Sequence, residues 1–170
     1  MGYLHYWSLL LNDPAYQAAW PQLVNDTVRI VDAVRRAGID LAGPLGDNRP
    51  ILDATGDLTF NGDRVAGHAA DTFTLRRPQN GGDRPQWIAG YCDTKRFPYD
   101  LAVAATLLRC HLLVPTALTL SSDGSWERQW KYGKKLPGRR RRAPAARTLL
   151  TDLFGPIPDT DPLTPLSARH

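Results

Sequence analysis

The segment Cys92-Asp93-Thr94-Lys95-Arg96-Phe97-Pro98-Tyr99-Asp100 gathers a thiol, two hydroxyls, two cations and two carboxylates. Its pattern reads as a strand ending near Cys92, a short turn, and a helix opening at Pro98, because proline suits the first helical turn. Such a junction offers backbone N–H groups and the positive end of a helix, where an anion is bound favourably. Lys95 and Arg96 add charge there, Thr94 and Tyr99 add hydroxyls, and Asp100 meets the helix end. Cys92 beside these cations is a candidate thiolate nucleophile. The plainer alternative is a capped strand–helix junction with solvated charges and an inert buried cysteine.

Ser121-Ser122-Asp123-Gly124 follows a second strand. If the two strands are neighbours, both loops open on one sheet edge, and Ser121, Ser122 and Asp123 face Lys95 and Arg96. Asp123 is then placed for proton transfer. Taken alone, these are ordinary turn residues. His68, in Gly67-His68, is a candidate general base or ligand, although a single histidine beside a strand is usually structural. His5 lies in an aromatic strand of undetermined phase, His111 lies on a helix, and His170 is terminal. No Cys-x-x-Cys or His-x-x-x-His pair, phosphate-binding glycine loop or Gly-x-Ser-x-Gly motif occurs, so no metal or cofactor is called for.

Basic charge is local. Residues 1–100 carry 10 Lys/Arg against 12 Asp/Glu, whereas residues 128–147 carry nine basic residues and no acidic one. Lys131, Lys134, Lys135, Arg139, Arg140, Arg141 and Arg142 therefore form a candidate nucleic-acid arm, with Trp126, Trp130 and Tyr132 upstream for stacking. A solvated charge run is the alternative.

These residues need a scaffold. Tyr3–Leu11 reads as a central first strand. Asp13 before Pro14 is a helix cap, and Leu23, Val24, Thr27, Ile30, Val31 and Val34 make one apolar stripe, predicting a helix over about 21–37 with a break near Trp20-Pro21. Asn61-Gly62 predicts a hairpin turn between strands at 57–60 and 63–66. Further strands are expected at 71–76, 86–92 and 116–120. Leu101, Ala104, Ala105, Leu108 and Leu112 predict a second helix buried on most sides, and Trp126 to Gly133 a short amphipathic helix. The expected fold is a single α+β domain, mainly one antiparallel sheet of about five to six strands backed by two main helices. A core over 1–133 would be followed by a basic arm over 134–147, then a short helix and a proline-rich, loosely held tail over 148–170.

Composition bounds the rest. A chain of 170 residues with 42% apolar and 22% charged residues can bury a core without disulfides. Two cysteines, Cys92 and Cys110, point to free thiols in a reducing compartment. The N-terminus lacks a basic leader and a cleavage site, and no apolar run approaches a membrane span. The expectation is a soluble, cytoplasmic protein without a membrane partner.

Phe60-Asn61-Gly62, Gly67-His68 with Thr72-Phe73, Cys92-x-Thr94 with Pro98-Tyr99-Asp100, and Ser121-Ser122-Asp123-Gly124-x-Trp126 together resemble an uncharacterised family of small proteins in bacteria, viruses and fungi. The likeness spans roughly residues 57–126. That family has no established activity, so the resemblance implies no reaction. The leading expectation is binding of, or small-scale catalysis on, an anionic small molecule bearing phosphate or carboxylate. A nucleic-acid accessory role for 131–147 and a protein-interaction module are the alternatives.

Overall fold

The computed structural model describes residues 2–165. His170 lies outside them. Six strands and three helices follow in the order β1 (Leu4–Leu10), α1 (Pro14–Arg36), β2 (Leu41–Ala42), β3 (Leu58–Gly62), β4 (Phe73–Leu75), β5 (Trp87–Asp93), α2 (Asp100–Leu113), β6 (Leu118–Ser122) and α3 (Ala146–Phe154). The fold is α+β. The strands form two small antiparallel sheets, β5-β1-β6 and β2-β3-β4, rather than one larger sheet. Nor does a hairpin form at Asn61-Gly62. Both residues lie inside β3, and the Asn61 side chain accepts from the N–H groups of Gly62 and Ala70 while donating to the Ala70 carbonyl. A buried amide that satisfies three backbone groups outweighs the local turn preference. Gly62 is needed for close approach, since a Cβ there would sit 1.9 Å from the His68 carbonyl oxygen.

β1 is central, between β5 and β6, in keeping with its mostly apolar character. In its register His5 faces Cys92 on one side and Ser122 on the other; Trp7 faces Gly90 and Leu120, and Leu9 faces Ile88 and Leu118. His5, Trp7 and Leu9 share the buried face. Because β5 and β6 both run antiparallel to β1, their C-terminal ends meet at the start of β1.

Asp13 caps α1, accepting from the N–H groups of Ala15 and Tyr16. The helix runs unbroken through Pro21, and the whole predicted stripe is buried. α2 is buried on nearly every side, against α1, α3 and β6. Arg109 of α2 donates to Asp26 of α1 at 2.7 Å. Trp126 to Lys131 forms turns in place of the expected helix, with Trp130 N–H bonded to Ser125.

The C-terminal third is more tightly held than its composition suggests. Lys135 bridges Arg142, Ala143 N–H donates to Lys134, and Leu136 and Ala143 are buried, so the base of the arm is a ribbon pinned to the core. The proline-rich segment is strapped along the outer edge of β6. Leu163 bridges Leu120, Thr164 N–H donates to Leu120, and Trp126 Nε1–H donates to Asp159. No helix among the described residues is long and apolar enough to cross a membrane.

Candidate functional site

Asp100, the first residue of α2, accepts two short hydrogen bonds on one oxygen. Thr94 Oγ1 donates to Oδ1 at 2.6 Å and His5 Nε2 lies 2.7 Å from the same atom. A carboxylate only accepts, so His5 Nε2 carries a proton, and Nδ1 on the other side of the ring is hydrogen-bonded to Ser122 Oγ at 3.0 Å. Ser122 Oγ in turn accepts from Gly124 N–H. The result is a chain Ser122–His5–Asp100–Thr94 drawn from β6, β1, α2 and the turn after β5. His5 and Thr94 are fully buried, while the Asp100 side chain is 23% exposed. Both bonds land on Oδ1, which leaves Oδ2 with no hydrogen bond among the described residues.

That carboxylate lies in the floor of a cavity of about 290 Å³. Tyr3, His5, Trp130 and Leu101 complete the floor, Phe97, His68 and Tyr132 stand around it, and Lys95, Arg96, Lys134 and Lys135 supply four cations. Tyr3 stacks edge-on to His5, as does Trp130 from another side. The Arg96 guanidinium covers the Tyr3 ring at 5.1 Å. Burial, reinforced by the Asp100 charge, raises the Tyr3 phenol above its ordinary range and keeps it protonated. Lys134 donates to the Arg96 carbonyl at 2.7 Å, and its ammonium is pushed down first by burial and then by the Arg96 charge.

The turn that carries the cations is unusual. Lys95 and Arg96 both hold positive φ, 52° and 56°, and Phe97 N–H closes the turn on Thr94 O at 2.9 Å. Two consecutive left-handed residues normally ask for Asn-Gly; here they cost of order 1–3 kcal/mol each. Asp93 Oδ1 accepting from Lys95 N–H and Thr94 Oγ1 accepting from Arg96 N–H hold the backbone in place. Strain of this kind concentrates at functional sites.

Part of the sequence-level arrangement is corrected by these bonds. The backbone N–H groups of Lys95, Arg96, Phe97 and Asp100 all have internal acceptors, so these four amides form no open nest for an anion. Side-chain cations remain the donors. Cys92 is buried, and burial pushes its thiol up to about 12, the reverse of a thiolate nucleophile. Tyr99 is buried with its hydroxyl donating to the Asp71 carbonyl at 2.7 Å, a structural tie. Asp123 is exposed and accepts from Leu4 N–H, fixing the start of β1 instead of facing Lys95. Ser121 is buried opposite Tyr6. His68 does stand at the cavity, its ring 6.2 Å from that of Phe97. Of the arm residues, Lys134 and Lys135 line the cavity, whereas Lys131 points to Glu127 at 3.0 Å.

Tyr3 carries no site signal in the sequence, His5 is left open there by the undetermined phase of its strand, and Trp130 stands there only as a stacking residue beside the basic arm. His5 is the one polar position on the buried face of β1, but Tyr3–Leu11 is apolar in both phases and conceals that face. Among the described residues no group of three His, Cys, Asp or Glu converges to hold a metal. No protein-family model, curated protein or solved structure matches the chain.

Proposed function

We propose that this cavity binds a small molecule carrying a phosphate or carboxylate, with Asp100 receiving a hydrogen-bond donor of the same ligand. The observation that carries the reading is the sign of the site: four cations at the wall against one carboxylate in the floor. An anionic group belongs at the wall, beside Lys95, Arg96, Lys134 and Lys135, since Asp100 repels it from the floor. A hydroxyl or amino group belongs on Oδ2 of Asp100. His5, Thr94 and Ser122 hold that carboxylate in one orientation, as a proton acceptor needs. His5 and Thr94, both fully buried, are positioning residues that act through Asp100. A second reading is favoured by Arg36 and Arg139 to Arg142, which line a groove of about 490 Å³ with no carboxylate in it. That groove suits a polyanion such as nucleic acid.

Thermal unfolding against nucleotides, sugar phosphates and dicarboxylates tests the first reading. A ligand at a hundred times its dissociation constant stabilises by about 2.7 kcal/mol. For a chain of this size that raises Tm by roughly 5–11 °C. Lys95→Ala with Lys134→Ala should remove most of the shift. A panel without any stabilising anion, or a shift indifferent to both lysines, refutes it.

A further inference from the structure

We infer that the cavity and the arginine groove form one site for single-stranded nucleic acid, in which an unstacked nucleotide enters the cavity and adjoining phosphates follow the groove. The inference rests on the reading of the cavity as an anionic-ligand site and names its ligand.

The first observation is the shared wall. One side of the ribbon, Lys134 to Pro137 and Ala143 to Ala146, faces the cavity. Its tip, Arg139 to Arg142, faces the groove with Arg36 and Ala37 from the end of α1, and Pro144 borders both. Lys135 and Arg142 are cross-strand partners, which places their backbones about 5 Å apart. At Lys135 and Arg142 the cavity and the groove are therefore separated by no more than the width of the ribbon.

The second observation is the composition of the groove. Five guanidiniums line it without an acidic residue, and guanidinium is the cation best shaped for two-point contact with phosphate. Arg139 is seated on Gly38, where a Cβ would lie 2.4 Å from its guanidinium nitrogen. Like charges gathered this closely repel one another until an anion intervenes.

The third observation lies inside the cavity. Trp130 is 1% exposed and its Nε1–H has no hydrogen-bond acceptor, a state rare for a buried donor. The cavity therefore offers one unused acceptor, Oδ2 of Asp100, among aromatic rings, with the indole N–H of Trp130 buried beside them. A nucleobase edge supplies an amino donor to that carboxylate, and its face stacks on aromatic side chains. Bases in a duplex are paired and stacked, so the strand must be single or locally opened.

Fluorescence anisotropy with a fluorescein-labelled single-stranded octanucleotide, competed with a mononucleotide, tests this. The octanucleotide should bind at least about 10-fold tighter than the mononucleotide, with log K against log salt sloping at about −2 to −3 for three to four phosphates. Arg140→Ala with Arg141→Ala, both at exposed positions, should make that slope shallower by about 1.4. Tyr132→Ala, at a position 65% exposed, should weaken binding about 5- to 10-fold and leave the slope unchanged. Equal binding of octanucleotide and mononucleotide overturns the inference while leaving the small-anion reading intact. So does equal binding of a duplex of the same length. Octanucleotide binding that falls in the arginine variant but ignores both Tyr132→Ala and saturating mononucleotide assigns the strand to the groove alone and overturns the single site. If neither the octanucleotide nor any small anion binds, both readings fall.

Discussion

Replacing Asp100 with alanine withdraws the one oxygen on which two buried donors converge, Thr94 Oγ1 at 2.6 Å and His5 Nε2 at 2.7 Å. A buried donor left without an acceptor costs about 1–3 kcal/mol. Two such donors give about 2–6 kcal/mol. The vacated volume adjoins the cavity, so water can reach part of it, and the lower half of that range, about 2–4 kcal/mol, is expected. At roughly 2–4 °C per kcal/mol in a chain of this size, Tm falls by about 4–16 °C. Asp100→Asn keeps an oxygen in place but gives up the charge-assisted part of both bonds, so its loss should be about half. Urea unfolding followed by tryptophan fluorescence measures all three proteins, with the m-value unchanged if the denatured state is unaffected. Thr94→Val adds a sharper check. In the alanine background the Thr94 hydroxyl has already lost its bond to Asp100, so removing it costs less there, and a double-mutant cycle should show coupling of about 0.5–3 kcal/mol. An Asp100→Ala protein within about 0.5 kcal/mol of the parent, or additive single effects, would refute the shared-acceptor reasoning.

Alkaline pH should destabilise the fold through Cys92. Its thiol is pushed up to about 12 by burial, while an unfolded thiol ionises near 8.5. Between those values the unfolded chain holds fewer protons, so stability is full below pH 8.5 and falls by up to about 1.4 kcal/mol per pH unit above it. Cys92→Ala should flatten the decline between pH 9 and 11 in urea titrations, and identical slopes would contradict the assignment. Truncation after Gly155 removes the acceptor of Trp126 Nε1–H and uncovers the outer edge of β6. A loss of at least about 2 kcal/mol and concentration-dependent self-association in light scattering are expected. A monodisperse protein of parental stability would show that the strap contributes nothing.

The sequence alone determined what local contacts determine. The Asp13 cap and the stripe from Leu23 to Val34 fix α1, because both depend on neighbours three or four residues away. The mostly apolar run over Tyr3–Leu11 marks β1 as central, and Lys95, Arg96 and Asp100 stand out as a cluster from their spacing. Asn61-Gly62 shows the limit of such signals, since a local turn preference gave way to a buried amide bonded across nine residues. Tertiary structure decided the rest. His5 meets Asp100 across 95 residues and Ser122 across 117, and no pattern within Tyr3–Leu11 says which face of that strand is buried. The ribbon at 134–145 became a cavity wall, and not a free arm, because Leu136 and Ala143 found places in the core. Residue spacing reports the period of one helix or strand. Which ends of which strands meet is set by sheet order, and in this protein β5-β1-β6 brought the site together.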